Sequence, residues 1–240
     1  MDAQQQQDLK RAAAARALEF VEDGMKLGLG TGSTADAFLE LLAVRVRGGL
    51  KIVGTPTSQR TADKARALGI QIAELDALAP LDLAVDGADE SDANLDLIKG
   101  GGGAHLREKI VASAASRFIV IADESKLVHR LGAFPLPVEV IPFAHGTTAR
   151  YVAVVAHALG YKQMTPKLRM KDGAPFRTDS GNLIYDCPFG EIADAMALAV
   201  SLRAITGVVE HGLFVGMASV LVLAGAGGVR VIERPSTGSG

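Results

Sequence analysis

The chain has 240 residues, enough for one large domain or two small ones with a substantial core. Hydrophobic residues make up 48% and charged residues 22%, and the formal net charge is -2 with no charge block, which excludes a basic footprint for nucleic acid. The single cysteine, Cys187, excludes an internal disulfide and a thiolate zinc cluster. No basic segment followed by an apolar run is seen at the start, and the glycine-interrupted stretch 213–231 reads as buried strands rather than a membrane span, so the expected location is cytoplasmic.

In chain order, the spacing of Leu9, Ala13, Ala17, Phe20 and Val21 predicts a helix over 8–21, stopped at Gly24. Residues 25–29 read as a strand running into a glycine loop, 35–46 as a helix, 51–54 as a strand, 58–68 as a helix and 71–75 as a strand. Residues 81–85 and 118–121 are compact β-rich runs, each ending at an acidic segment, with a helix over 104–116 between them. Strands alternating with helices of this length imply a parallel sheet covered on both faces. From about Pro135 the pattern changes. A strand at 138–141, a helix at 147–159, strands at 166–170 and 183–186 around the turn signal Asp179-Ser180-Gly181-Asn182, a helix at 191–205 and a strand at 208–214 follow. That order, β-α-β-β-α-β, is a split βαβ unit. Strands at 219–223 and 229–232 are placed to rejoin the first sheet, while the glutamine-rich start and residues 235–240 read as loose termini. The expected fold is α/β: a Rossmann-like, mostly parallel sheet with helices on both faces over 1–132 and 215–240, plus a smaller α+β, ferredoxin-like domain over 133–214.

Ligands of open parallel sheets bind outside the carboxyl ends of the strands, and four such segments are polar or glycine-rich. The first, Gly28-Leu29-Gly30-Thr31-Gly32-Ser33-Thr34-Ala35, lets the backbone approach a ligand closely at a helix N-terminus, and Thr31, Ser33 and Thr34 add hydroxyl donors. That suits a phosphate monoester; a ligand-free turn capped by Ser33 or Thr34 is the bland alternative. The same loop fits a loose dinucleotide fingerprint, yet the next strand ends Gly54-Thr55-Pro56-Thr57 with no acid, and no Gly-Lys-Ser/Thr follows, so neither nucleotide motif is complete. The second segment, Asp86-Gly87-Ala88-Asp89-Glu90, crowds three carboxylates, which is costly unless cations or hydroxyl-rich ligands share the site. Sugar hydroxyls are natural partners, and an exposed acidic turn is the alternative.

The third segment, Lys99-Gly100-Gly101-Gly102-Gly103, leads into the helix containing Glu108. Four glycines cost entropy on folding, which a backbone wrapped around a ligand would justify. Lys99 could stabilise a developing oxyanion or form a salt bridge with Asp86 or Asp89. Glu108 shares a helical stripe with Ala104, Val111 and Ala115. Partial burial there opposes the pull of the helix N-terminus and Lys99, the balance a general base near neutral pH needs; an ion pair with Arg107 or Lys109 is the alternative. The fourth segment, Ala122-Asp123-Glu124-Ser125-Lys126, offers a lysine to a phosphate or an acidic site, or is a solvated turn.

Together the motifs G-x-G-T-G-S-T, D-G-A-D-E, K-G-G-G followed by R-E-K, and A-D-x-S-K occur in that order at 28–34, 86–90, 99–109 and 122–126. Over a span from about Leu9 to Ile232 the chain resembles the type A ribose-5-phosphate isomerases. The run at 134–142 and the Thr178-Asp179-Ser180-Gly181-Asn182 hairpin are similar to that family as well. The resemblance implies that Thr31, Gly32, Ser33 and Thr34, with Lys10 and Lys126 near the phosphate, bind substrate. It implies the same for Asp86, Gly87, Ala88 and Asp89, and for Lys99, Gly100, Gly101 and Gly102, and it makes Glu108 the general base. It implies dimers or tetramers, no cofactor, and a place in the non-oxidative pentose phosphate pathway. His105 and Ser219 depart from the residues common in the family at those positions.

The expected reaction interconverts ribose 5-phosphate and ribulose 5-phosphate through a cis-enediolate, with Asp86 assisting ring opening and Lys99 stabilising the enediolate oxygen. No metal is expected, since the histidines at 105, 129, 145, 157 and 211 show no ligand spacing. The alternatives are a non-catalytic sugar-phosphate sensor, disfavoured by the lack of a basic module, a coenzyme A transferase using a glutamate nucleophile, a nicotinamide-dependent dehydrogenase, and an isomerase of another sugar phosphate.

Overall fold

The computed structural model describes residues 3–234, so the tail expected to be loose at 235–240 lies outside the described residues, whereas the glutamine run at 4–7, also expected to be loose, is helical. The chain begins with α1 (Ala3–Leu18), β1 (Lys26–Leu29), α2 (Ser33–Arg47), β2 (Val53–Pro56), α3 (Gln59–Ala67), a helical turn α4 (Leu75–Leu78) and β3 (Leu81–Asp86). Next come β4 (Glu90–Ser91), β5 (Leu97–Ile98), α5 (His105–Ser113), β6 (Ala115–Asp123), a 3-10 turn (Glu124–Lys126), β7 (Leu136–Val140) and α6 (His145–Ala158). The remainder is β8 (Lys167–Leu168), β9 (Met170–Lys171), β10 (Ala174–Pro175), β11 (Leu183–Cys187), α7 (Ala195–Arg203), β12 (Val208–His211), β13 (Leu213–Phe214), β14 (Val220–Gly225) and β15 (Gly228–Glu233). The contacts divide the chain into two compact units.

The first unit comprises Met1–Ala88, Glu108–Leu127 and Gly216–Gly240. Its sheet has the order β15-β14-β6-β3-β1-β2, parallel throughout except for β15, which pairs antiparallel at one edge. The last two expected strands do rejoin this sheet. Strands of such a sheet are covered on both faces and so read as unbroken apolar runs. Leu27, Leu29, Leu83, Val85, Ile119 and Ile121 meet the apolar stripes of α1 and α2, among them Ala13, Ala17, Phe38, Leu39 and Leu42. Gly28, between the two leucines, points the other way, toward α5. A Cβ at Gly28 would lie 2.6 Å from Val111 Cγ1 and 2.9 Å from Ala84 Cβ, so the missing side chain is what seats α5 on this face.

The strand expected at 71–75 does not form. Ile72 makes one bridge to Gly54 at the sheet edge, and the chain then turns into α4 at Leu75. Only Gly54 N to Gln71 O and Ala73 N to Gly54 O are paired there, two bonds that leave the following residues free to take a helical turn.

The second unit comprises Asp89–Arg107 and Val128–Val215. Its antiparallel sheet runs β12-β7-β11-β8, the order of a ferredoxin-like split βαβ unit with α6 and α7 as its helices. Leu136, Val138 and Val140 of β7 and Leu183, Tyr185 and Cys187 of β11 pack with Val152, Ala156, Leu198 and Leu202 of the helices. Cys187 is buried, and burial pushes its thiol far above the usual range, which leaves it inert. The alternate residues Glu139 and Ile184 face the opposite side, where His105 and Gly103 lie against them. That packing is why 89–107 groups with the second unit, whereas the sequence pattern placed all of 1–132 together. The single strand expected at 208–214 is two, because Gly212 donates to Pro137 O while its carbonyl accepts from Lys99 N. The chain thereby leaves β7 and pairs β13 with β5 in a second sheet, β13-β5-β4.

Glu139 is fully buried and holds the 178–182 turn: its Oε1 accepts from Thr178 Oγ1 at 2.9 Å and Asn182 Nδ2 at 2.9 Å. Burial raises the Glu139 pKa, opposed by those two hydrogen bonds. A carboxyl whose folded pKa is raised stabilises the fold most when protonated, and that stability is lost as pH rises through the folded value. Relative to Glu139→Gln, the unaltered chain is therefore expected to lose stability as pH climbs from the ordinary 4.5. Urea midpoints of the two proteins between about pH 4 and 8 check this, and parallel profiles would refute it. In the first unit, Gly28→Ala overpacks the α5 seat and should cost about 1–3 kcal/mol; an unchanged denaturation midpoint would show that the seat is looser than described.

Candidate active site

In the first unit the backbone leaves β1 at Leu29 and enters α2 four residues later. Gly30 N donates to Val85 O at 3.0 Å, drawing the loop onto the end of β3. There the Asp86 carboxylate, 3% exposed, takes Thr31 N at 3.0 Å and Gly87 N at 2.7 Å on its Oδ1. A Cβ on Gly30 would lie 2.2 Å from that oxygen, so the loop and the acid can meet only through a glycine. Gly87 lies beside Thr34, and Ala88, at the end of the unit, is half-buried.

Helix α2 starts after Gly32, whose φ is 114° and which offers no side-chain cap. The N–H groups of its first turn and the helix dipole are thus aimed out of the loop, as an anion site requires. Lys10 Nζ donates to Ser33 Oγ at 3.0 Å, bringing a positive charge to the same turn. Thr34 is half-buried beside Ser33, and Lys126 is half-exposed on the 3-10 turn capped by Asp123 at the end of β6. The ligand-free alternative, a side-chain cap from Ser33 or Thr34, does not form.

Glu108, on α5, is 5% exposed. It lines one narrow crevice with Gly28, Gly30, Thr57, Ala84, Asp86, Val111 and Phe118. Two carboxylates therefore share a desolvated strand-end crevice beside the uncapped start of α2. Of the two alternative ion-pair partners, Arg107 donates to Asp179 O at 3.0 Å, and Lys109 is buried on the same helix.

The second unit holds the other predicted residues. Asp89 Oδ2 accepts from Gly101 N at 2.8 Å. Glu90 is 4% exposed and accepts from Gly132 N at 2.7 Å and from Phe134 N, which makes it a structural acid. The crowding expected of the acidic segment is thus met by backbone donors. Lys99 is 2% exposed, its Nζ 5.5 Å from the centroid of Phe214. Much of the glycine run answers to packing within the protein: Cβ atoms would strike His105 at Gly100, Asp89 and Phe134 at Gly101, and Phe176 at Gly103. Gly101 and Gly102 remain exposed, with backbone accessible to a ligand.

Sequence reasoning missed Arg169. Its Nη1 donates to Gly100 O at 2.8 Å and Gly101 O at 3.2 Å while Nε donates to Asp186 Oδ2 at 3.0 Å, so an ion-paired guanidinium braces the glycine run. No sequence signal marks it, since its partners lie far away along the chain. Among the described residues, no group of three or more His, Cys, Asp or Glu side chains is placed to hold a metal ion, and no helix is long and apolar enough to cross a membrane.

The family model described as ribose 5-phosphate isomerase A (phosphoriboisomerase A) matches residues 53–228. The ribose-5-phosphate isomerase A of Nitrobacter hamburgensis is 59% identical over 226 residues, covering 94% of this chain and 97% of the relative. That of Rhodopseudomonas palustris is 60% identical over 228 residues, covering 95% and 98%. Among solved structures, the ribose 5-phosphate isomerase of Plasmodium falciparum superposes with a TM-score of 0.91 at 38% identity, covering 95% of this chain and 99% of the other. A D-ribose-5-phosphate isomerase in complex with phospho-erythronic acid gives 0.90 at 40% identity, covering 98% and 100%. With a family model over most of its length and relatives near 60% identity end to end, the chain belongs to the ribose 5-phosphate isomerase A family.

Proposed function

We propose that the chain interconverts D-ribose 5-phosphate and D-ribulose 5-phosphate through a cis-enediolate, with Glu108 as the base that carries the proton. The observation that supports it most is the burial of Glu108 in one crevice with Asp86, beside the uncapped start of α2. The α2 turn, Ser33, Thr34, Lys10 and Lys126 take the phosphate, whose binding energy holds the reacting carbons in place. Asp86 moves the anomeric hydroxyl proton to the ring oxygen and opens the furanose to the aldehyde.

Glu108 then removes the C2 proton. The electron pair forms the C1–C2 double bond, and the carbonyl pair becomes an oxyanion on O1. Glu108 returns its proton to C1, and the O2 hydroxyl proton passes to O1, leaving a carbonyl at C2. The roles of Lys99 in stabilising the enediolate oxygen, and of Gly87, Ala88, Asp89 and Gly100–Gly102 in holding the sugar hydroxyls, rest on the family motifs. Phospho-erythronic acid, bound by a solved relative, supports the same reading. Its carboxylate has the planar pair of oxygens that an enediolate has. Assembly as a homodimer or homotetramer and a cytoplasmic location belong to the same proposal; sedimentation reads the first.

Conversion of ribose 5-phosphate, followed by the absorbance of the ketose with a chelator present, tests the function directly. Glu108→Gln should lower kcat by about 10²–10⁴-fold while sparing substrate affinity. Near wild-type turnover in that variant would remove Glu108 from the role of base.

A further inference from the structure

Four hydroxyls converge beneath the loop that follows β1. Thr31 Oγ1 lies 2.8 Å from Thr57 Oγ1, 2.8 Å from Ser58 Oγ and 2.9 Å from Thr61 Oγ1. A hydroxyl oxygen has one proton and two lone pairs beyond its bond to carbon. The Thr31 proton goes to Ser58 Oγ, so the Thr31 hydroxyl has no proton left to donate to a phosphate. The partners are anchored in turn. Thr57 Oγ1 donates to Leu29 O at 3.1 Å, and Thr61 Oγ1 donates to Gly30 O at 3.0 Å. Ser58 Oγ donates to Thr61 Oγ1 at 3.0 Å and caps α3 by accepting from Thr61 N at 3.1 Å. Thr57, Ser58 and Thr61 are 2%, 7% and 0% exposed, so the bonds among them and to the backbone are shielded from water, while Thr31 is half-buried at the edge of the net.

We infer that Thr61 is a positioning residue for the phosphate end of the substrate, and that the Thr31 hydroxyl serves the protein rather than the ligand. The inference rests on the sugar-phosphate reading above. Thr61 fixes the Gly30 carbonyl directly and the Thr31 side chain through Ser58, which accepts from Thr31 and donates to Thr61, and Gly30 and Thr31 set the direction in which Gly32 and the first turn of α2 present their N–H groups. The phosphate is left to that turn, to the hydroxyls of Ser33 and Thr34, and to Lys10. This reassigns Thr31, which sequence reasoning counted as a hydroxyl donor to the ligand.

Thr61→Val keeps the side-chain shape and removes the hydroxyl. It should raise the KM for ribose 5-phosphate and the Ki of inorganic phosphate as a competitive inhibitor together, each by about tenfold, the size of one lost hydrogen bond. Thr61→Ser should bring both back to within about twofold of the unaltered chain. A merely structural role would lower the thermal midpoint and the active fraction, hence kcat, and leave KM and Ki in place; that result overturns the inference. If Thr61→Val does not fold, Thr57→Val is read by the same two constants, with the same expectation and the same refuting result. Should the unaltered chain fail to isomerise ribose 5-phosphate, the functional reading falls. Calorimetric titration of inorganic phosphate into both proteins then decides the positioning role alone, and equal affinities overturn it.

Discussion

The Asp86 carboxylate is where the first unit is tied together. Burying a carboxylate is costly unless its oxygens are hydrogen-bonded, and Asp86 Oδ1 takes two backbone N–H groups, one from its own strand end and one from the loop after β1. That is possible only because β1 and β3 are neighbours in parallel, with Leu29 opposite Val85, so both loops leave the sheet at the same end. It also requires that nothing project from Gly30, which lies against the acid. The same bareness recurs one pleat back at Gly28, where it admits α5 and with it Glu108. The loop after β1, an acid and a second acid are therefore brought together by two glycines two residues apart, one in β1 and one just past its end.

In the second unit a comparable logic applies to the backbone rather than to a pocket. Glu139 faces away from the apolar core of its sheet, and its Oε1 gathers the 178–182 turn while its Oε2 lies 3.6 Å from His105 Nε2. The glycine run passes over that face with no room for side chains against His105 and Phe176, and Arg169 grips its carbonyls. The ion pair of Arg169 with Asp186 fixes the guanidinium in direction, so the carbonyls of Gly100 and Gly101 are held by an oriented fork rather than by a mobile charge. His105 thus falls beneath the loop, where it bears on packing.

Much of this was legible in the sequence, for reasons that differ by level. Strands covered on both faces leave apolar runs such as 118–121 that read without ambiguity, and the change of pattern near Pro135 signalled a second kind of domain. The order of elements after it yielded the split βαβ topology. The segment 89–107 was misplaced because its allegiance is decided by tertiary contacts of Gly103 and His105, for which one-dimensional pattern carries no sign. The strand expected at 71–75 had the right composition but only one residue to pair at the sheet edge. The glycine loops were recognisable as close approaches, yet sequence cannot say whether the close neighbour is a ligand or the protein itself. Gly30 meets Asp86 and Gly100 meets His105, while Gly32, Gly101 and Gly102 keep an accessible face.

The acidic segment shows how far chemistry alone can be pushed. Three carboxylates in five residues suggested that a cation or a polyhydroxylated ligand was needed to offset their repulsion. The structure distributes them instead. Asp86 takes N–H groups from Thr31 and Gly87, Asp89 takes one from Gly101, and Glu90 takes those of Gly132 and Phe134. Backbone donors carry partial positive charge in fixed directions, and each carboxylate meets its own set, so the cost of placing the acids so close in sequence is offset before any ligand arrives. A ligand is then not required to neutralise the segment. In the proposed reaction its hydroxyls can be held by hydrogen bonds whose donors and acceptors are already oriented, which is the arrangement that favours a transition state over a ground state.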